Sequence, residues 1–490
     1  MELFSSLFAR LRVGCGAGFF FVLALGLAAG LTGCGSASAG FSGNTEVTVL
    51  ASGEANDQLL QVSLGFTNFT LTSQSGETIS LMTTPQAAEF IHLNGTAEPL
   101  FTAGVPQGVY TAATATIGVA LIGCAAYNPI TEGLDNSNFQ YGNTPSSQVT
   151  VKLPAPITIA GDAMDISLNL LVSQSVTLSA CFSPNGIYSY SIDPTFNLVP
   201  VTISQKPTNN TNGRLVGLAG LIESVNRGGF VMAGGDGPVW TVDTNGSTTY
   251  QRIAGVSALA AGMAVDMDAA VQFDGSLLAT RVEVEDANPV DLSLWNGPVE
   301  SVNAIIPVLN SGARQEQGFL FASTYLLGGA SFSFGNAVFQ TSGQLSNLSS
   351  LPFPATFNAA NVVAGQNVNV TTHAASLAVT YPTYIPATTV TLIPQSIDGT
   401  VSAVSSESGF TVYTVALAAS DLFPNLAVQA GQTTLLTNPG TVEVYVDNTT
   451  QMLNSEAIGV GSIVRFNGLM FNDNGTLRMD CAEVNDGVPE

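Results

Sequence analysis

The C-terminal half of this chain holds three copies of one pattern. Gly220-Leu221-Ile222-Glu223-Ser224-Val225-Asn226 returns as Gly297-Pro298-Val299-Glu300-Ser301-Val302-Asn303 and again as Gly399-Thr400-Val401-Ser402-Ala403-Val404-Ser405. Each opening is followed by a Gly-Phe pair: Gly229-Phe230, Gly318-Phe319 and Gly409-Phe410. Then come Gly262-Met263-Ala264-Val265, Gly365-Gln366-Asn367-Val368 and Gly461-Ser462-Ile463-Val464, in the same order. A fixed order of motifs means one supersecondary unit used repeatedly, so the copies share a fold. Within a copy a strand opens at Gly-x-Ile/Val, returns through Gly-Phe, continues through a Thr-rich strand and Gly-x-x-Val, and ends in a hairpin over Asp274-Gly275 or Asn474-Gly475. Such a set of short strands closes into a small barrel without leaving edges exposed, and three uneven copies are too few for a propeller. The expected modules are 215–290, a divergent 295–396 with extra sequence near 305–317, and 397–490.

Upstream, period-2 segments such as Glu46-Val47-Thr48-Val49-Leu50 and Phe66-Thr67-Asn68-Phe69-Thr70-Leu71 predict sheets with one buried face. Residues 45–207 are expected to form a β-sandwich. The polar run 208–214 has no apolar side to bury and reads as a linker. Charged residues are only 9% of the chain against about 25% in ordinary soluble domains, and glycine fills 50 of 490 positions, which excludes long charged helices. The fold class is therefore all-β, an N-terminal sandwich followed by about three small barrel-like modules in tandem. A net charge of -24 repels phosphate backbones, so nucleic acid is excluded as a partner.

The first 33 residues have the order of an export signal: Arg10 and Arg12, an apolar run through Phe19-Phe20-Phe21-Val22-Leu23, and then Leu31-Thr32-Gly33-Cys34. That last tetrad resembles the bacterial lipobox, which implies lipidation at Cys34 after cleavage and attachment to the membrane through it. An uncleaved transmembrane anchor is the other reading of the run, and it too puts the rest of the chain outside the cytoplasm. Residues 34–44 are small and polar, a flexible tether. Gly35, in place of an aspartate, is similar to lipoproteins forwarded to the outer membrane, on its periplasmic face or at the cell surface.

The stretch 217–288, with Trp240-Thr241-Val242-Asp243 and Leu278-Ala279-Thr280-Arg281-Val282-Glu283-Val284, resembles a small β domain of unknown function repeated in bacterial envelope lipoproteins of the acidobacterial type. The N-terminal part, with Val105-Pro106-Gln107-Gly108-Val109-Tyr110, resembles a second uncharacterised lipoprotein domain that accompanies it. The resemblance implies fold and location and carries no activity.

Once exported, Cys124 and Cys181 stand at two strand ends in an oxidising compartment and are expected to pair as a disulfide. Cys481 aligns with Arg281 of the first copy and reads as a buried thiol. His92 and His373 lie far apart in sequence, and no Gly-x-Ser-x-Gly elbow, phosphate loop or His-Glu-x-x-His helix is present. Glu89 with His92, and Asp162 with Asp165, read as solvated polar groups. Glu223 and Glu300 recur at one repeat position in different modules and read as structural. Asp266, Asp268, Glu283, Glu285 and Asp286 alternate along strands and point away from the apolar face, yet are too few for a Ca²⁺ shell without loops. Trp240, Tyr250, Phe319, Phe321 and Tyr325 form either core or a sugar-stacking platform. No catalytic residue, metal site or cofactor is assigned. The expected function is that of a non-enzymatic envelope protein that binds a polysaccharide or protein partner; the alternatives are a hydrolase with an unrecognised site and a passive surface spacer.

Overall fold

The computed structural model describes residues 42–486 except 54–58, 91–92, 94–96, 125–126, 129–132, 135–139, 142–147, 177–191, 202–213, 235–238, 273–275, 304–307, 312–313, 317–329, 335, 344, 346–347, 374–384, 419–420, 422, 425–435 and 454–457. The all-β class holds, and the one α-helix among the described residues is the single turn Val172–Ser175. No described helix is long and apolar enough to cross a membrane.

The N-terminal domain has strands β1 (Asn44–Gly53), β2 (Leu59–Ser73), β3 (Thr78–Ser80), β4 (Gln86–Glu89), β5 (Ala97–Pro106), β6 (Gly108–Cys124), β7 (Gln148–Val151), β8 (Ile157–Ile159), β9 (Ala163–Leu170) and β10 (Phe196–Val201). One sheet runs β10-β9-β1-β5; the other is built on the long β2–β6 pair, with β7 and β8 beside β6 and β3 and β4 beside β2. Alternate residues Val47, Val49 and Ala51 of the first sheet meet Val62, Leu64 and Phe66 of the second in a common core, the arrangement of a sandwich.

Three closed five-stranded barrels follow. The first comprises β11 (Arg214–Val225), β12 (Gly229–Gly234), β13 (Val239–Asp243), β14 (Thr249–Gln251), β15 (Ala264–Val271) and β16 (Leu277–Asp286). The ring runs β13-β12-β11-β15-β16 and closes where β13 pairs with β16 in parallel, while β14 adds to the outer side of β16. The second has β17 (Ser293–Asn303), β18 (Val308–Ser311), β19 (Ala330–Ser333), β20 (Val338–Thr341), β21 (Asn367–Thr372) and β22 (Ile385–Leu392); the third has β23 (Gln395–Glu407), β24 (Phe410–Ala416), β25 (Thr441–Val446), β26 (Gln451–Leu453), β27 (Ile463–Asp473) and β28 (Thr476–Asp486). Their main strand order is that of the first, including the parallel closures β19–β22 and β25–β28.

The repeated glycines explain why the three copies agree. Gly262, Gly365 and Gly461 sit at φ of 84°, 98° and 93°, a left-handed conformation that side chains disfavour. There each N–H bonds back to the opening strand, reaching the carbonyls of Ile222, Val299 and Val401 at 2.6, 2.8 and 2.8 Å. The opening glycines serve close approach: a Cβ on Gly220 would lie 2.4 Å from the Ala233 carbonyl oxygen, and one on Gly399 2.8 Å from that of Ala416. Asn474 and Gly475 both have positive φ, as a two-residue hairpin requires. In the middle barrel the strand returning on β17 is Val308–Ser311, ahead of the Gly318-Phe319 pair, which lies outside the described residues.

Because register is shared, one position can be followed through all three barrels. Asp266, Asn369 and Arg465 each sit opposite the residue just before the opening glycine, namely Ala219, Asn296 and Asp398.

Candidate functional site

The charged residues of the first barrel gather where that barrel meets the second. On β15 the side chains of Val265, Met267 and Ala269 enter the barrel core, so Asp266 and Asp268 between them face outward. On neighbouring β16 Arg281, Glu283 and Glu285 do the same. Outward here does not mean solvated: Asp266, Asp268, Arg281, Glu283 and Glu285 are all 6% exposed or less. Groups of the second barrel reach Glu283 and Glu285, whereas Asp266 and Asp268 bond within their own barrel.

Arg281 is the hub. Its guanidinium ion-pairs with Asp266, with Asp268 at 3.1 Å and with Glu283 at 2.6 Å. Glu283 also pairs with Arg252 and accepts the Gly343 N–H at 2.9 Å from the second barrel. Glu285 accepts the hydroxyl of Thr391, and Asp286 that of Thr371 at 3.0 Å. Gln251 reaches the carbonyl of Gly343 at 2.8 Å and Arg252 that of Thr341 at 3.0 Å. Leu292 and Leu294 pack on Ala219 and Ala264 beside this polar joint.

His373 completes the joint. Its Nδ1 lies 2.7 Å from the Val290 carbonyl and its Nε2 2.8 Å from the Asp286 carboxylate. Both partners are acceptors of a ring N–H, an arrangement that favours the imidazolium form. Its pKa is raised accordingly by those bonds and the nearby carboxylates, against the opposing effect of burial.

Five carboxylates face two guanidiniums here, an excess of three negative charges before His373 is counted. Burial pushes Asp266 up to about 8 despite Arg281, and pushes Glu285, beside Glu283, up to about 7. Protons on those two acids together with the His373 cation cancel the excess.

Other expectations need correction. Glu89 is buried, and its Oε1 accepts the Val62 N–H at 2.8 Å, so it anchors the end of β4 to β2; His92 lies outside the described residues. Asp165 is 1% exposed, with its pKa raised to about 7 by burial, whereas Asp162 is exposed. Ile166, Leu168 and Leu170 enter the core, so Asp165 lies on the other face of the sheet, and that face is covered there. Glu223 is exposed, and the side chain of Glu300 is outside the described set.

Cys481 is buried, and burial raises its thiol pKa, which keeps it protonated and unreactive. Cys34 and Cys181, and the side chain of Cys124, also lie outside the described residues; the backbone of Cys124 ends β6 opposite Leu59. Among the described residues no group of His, Cys, Asp and Glu is arranged to hold a metal ion.

Trp240 is buried, and its Nε1–H donates to the Pro99 carbonyl of the sandwich at 3.1 Å. Leu50 and Ala97 of the sandwich belong to the same apolar cluster as Leu215 and Trp240, so the first barrel shares its core with the domain before it. Tyr250 is half-buried, and Phe319, Phe321 and Tyr325 lie outside the described residues. A cleft of about 420 Å³ opens beside Trp240, between β4 and β5 of the sandwich and β13 of the barrel.

No family model matches the chain, and no curated protein matches it. Among solved structures, a glycoside hydrolase of family 32 from Bifidobacterium adolescentis aligns at 10% identity with a TM-score of 0.10, over 90% of this chain and 67% of that one. A score that low carries no argument about fold or activity.

Proposed function

We propose that this chain is a lipid-anchored protein of the bacterial cell envelope, held to the membrane, most simply the outer one, through Cys34, and that it works by binding or by structure without catalytic turnover. The observation that carries this reading is the use made of its charged side chains. Arg252, Arg281, Glu283, Glu285, Asp286 and His373 point into the joint between the first two barrels and contact one another there. A catalytic acid, base or nucleophile must instead reach a substrate atom. The signal-like order ending in Leu31-Thr32-Gly33-Cys34 supports the anchor, and the acidobacterial-type domain resemblance supports the compartment.

The test has two arms. Cys34→Ala should abolish labelling by a fatty-acid analogue and release the chain from the membrane fraction; equal labelling of the variant refutes the anchor. The purified chain is also screened against ester, glycoside, peptide and phosphate substrates, beside an array of envelope fractions. Saturable turnover lost on a single carboxylate or His substitution would replace this reading with a hydrolase, binding without turnover supports it, and silence in both arms leaves a spacer.

A further inference from the structure

We infer that the cleft between the sandwich and the first barrel is a binding site for an uncharged, polyhydroxylated ligand, a short neutral glycan. This inference rests on the reading of the chain as a binding protein and names what is bound. The first observation is electrical. The chain carries 35 acidic side chains, yet among the described residues no charged side chain lines this cleft. An anionic ligand is repelled by the surrounding field and a cation finds no carboxylate among the described residues of the wall, whereas a neutral one is indifferent to both.

The second observation is the chemistry of the wall. Thr83, Thr84, Thr102, Thr241 and Ser276 present hydroxyls and Gln86 an amide, groups that both donate and accept. Among the described residues Thr83 and Thr241 make no side-chain hydrogen bond, and both are exposed, so their hydroxyls are free for a ligand. Between these groups lie Phe101 and Val239, the latter 55% exposed, which offer apolar surface to the C–H faces of a sugar ring. A mixture of a few polar groups with apolar wall is the makeup of a small-molecule site, and about 420 Å³ lies within the usual 300–1,000 Å³.

The third observation is rigidity and the absence of acid–base chemistry in the lining. Trp240 at the floor is held by its bond to Pro99, and its ring packs against Gly234, where a Cβ would lie 2.4 Å from an indole carbon. Both walls are thus fixed across the domain boundary. Among the described residues no lining side chain is a carboxylate or histidine, whereas glycoside cleavage uses a pair of carboxylates. A glycan in this cleft is held and not cut.

The chain has two tryptophans, Trp240 in the cleft and Trp295 in the core of the second barrel, so Trp295→Phe makes Trp240 the sole reporter. Cellohexaose, xylohexaose and maltohexaose are titrated into this variant, with a galacturonate hexamer as the charged control, and calorimetry on the parent chain repeats the titration without any substitution. The expected result is a saturable change in Trp240 emission with at least one neutral hexamer and at least tenfold weaker binding of the charged one. Thr241→Arg, at an exposed position, should weaken neutral binding at least tenfold while leaving the melting temperature unchanged.

Failure of every neutral hexamer in both formats overturns the inference and leaves the envelope reading to its Cys34 and turnover tests. Binding that Thr241→Arg does not alter places the glycan elsewhere and overturns the cleft. Cleavage products found by chromatography overturn both readings at once.

Discussion

Replacing Arg281 with Met should destabilise the chain by about 3–5 kcal/mol at neutral pH, because it strips the cation from three buried acids while keeping most of the side-chain volume. Arg281 is 7% exposed in its side chain and bonds to Asp266, Asp268 and Glu283 at once, so no solvent stands ready to replace it. The cost is limited by proton uptake. Burial already pushes Asp266 up to about 8 against the pull of Arg281, and without Arg281 its carboxyl holds its proton to higher pH still. Each additional proton retained by the folded state adds a slope of about 1.4 kcal/mol per pH unit, with stability falling as pH rises. The variant should therefore be close to the parent at pH 5 and furthest below it at pH 9. Urea denaturation followed by tryptophan emission at pH 5, 7 and 9 measures this, and adding Asp266→Asn to the variant should recover about 1–2 kcal/mol at pH 9. A loss below about 1 kcal/mol that is equal at pH 5 and 9 would refute the claim that Arg281 neutralises a buried charge excess.

The parent should itself lose stability as pH rises from about 4 to 8, the interval between the unfolded and the folded values of its buried acids. Asp266 and Glu285, raised to about 8 and 7, hold protons in the folded state that the unfolded chain releases above pH 4, and the contribution of His373, present below its ordinary 6.5, is lost as pH passes its raised value. All three groups act in one direction, so Asp266→Asn with Glu285→Gln should flatten the pH dependence of the urea midpoint. Phe353→Ala should cost about 3–5 kcal/mol in the same assay, since the ring is 5% exposed and lies 4.9 Å from Tyr445 and 6.0 Å from Phe471, where the second and third barrels share a core. Peptide mapping without reductant should recover Cys124 cross-linked to Cys181, a bond worth about 2–4 kcal/mol; recovery of both as free thiols would end that proposal.

The barrels are legible in the sequence because their turns demand glycine at fixed places. Gly262, Gly365 and Gly461 mark one left-handed turn, and that turn stays readable where the strands around it diverge. The acidic joint is legible only by half. Alternation along 264–271 and 277–286 shows that Asp266, Asp268, Glu283 and Glu285 leave the barrel core, but a period of two cannot say whether the outer face meets water or another domain. What covers it, Thr371, Thr391 and Ser342, comes from strands and turns about 60 to more than 100 residues away, and nothing local in 264–286 encodes them. Asp165 is misread for the same reason. The cleft is invisible to sequence reading because its two walls belong to different domains.

The shared position occupied by Asp266, Asn369 and Arg465 makes the order of the barrels a chemical address. The three barrels share one strand order, yet the outward residue at that position pairs with Arg281 in the first barrel, with Asn296 in the second and with Asp398 in the third. A chain with its second and third barrels exchanged would still contain three closable barrels. It would bring the acids of the first against a face that lacks Thr371, Thr391 and His373, the groups that bond to Asp286 and Glu285 across the present boundary. Each barrel closes by the common recipe, but its outward residues are matched to the neighbour that the chain order gives it.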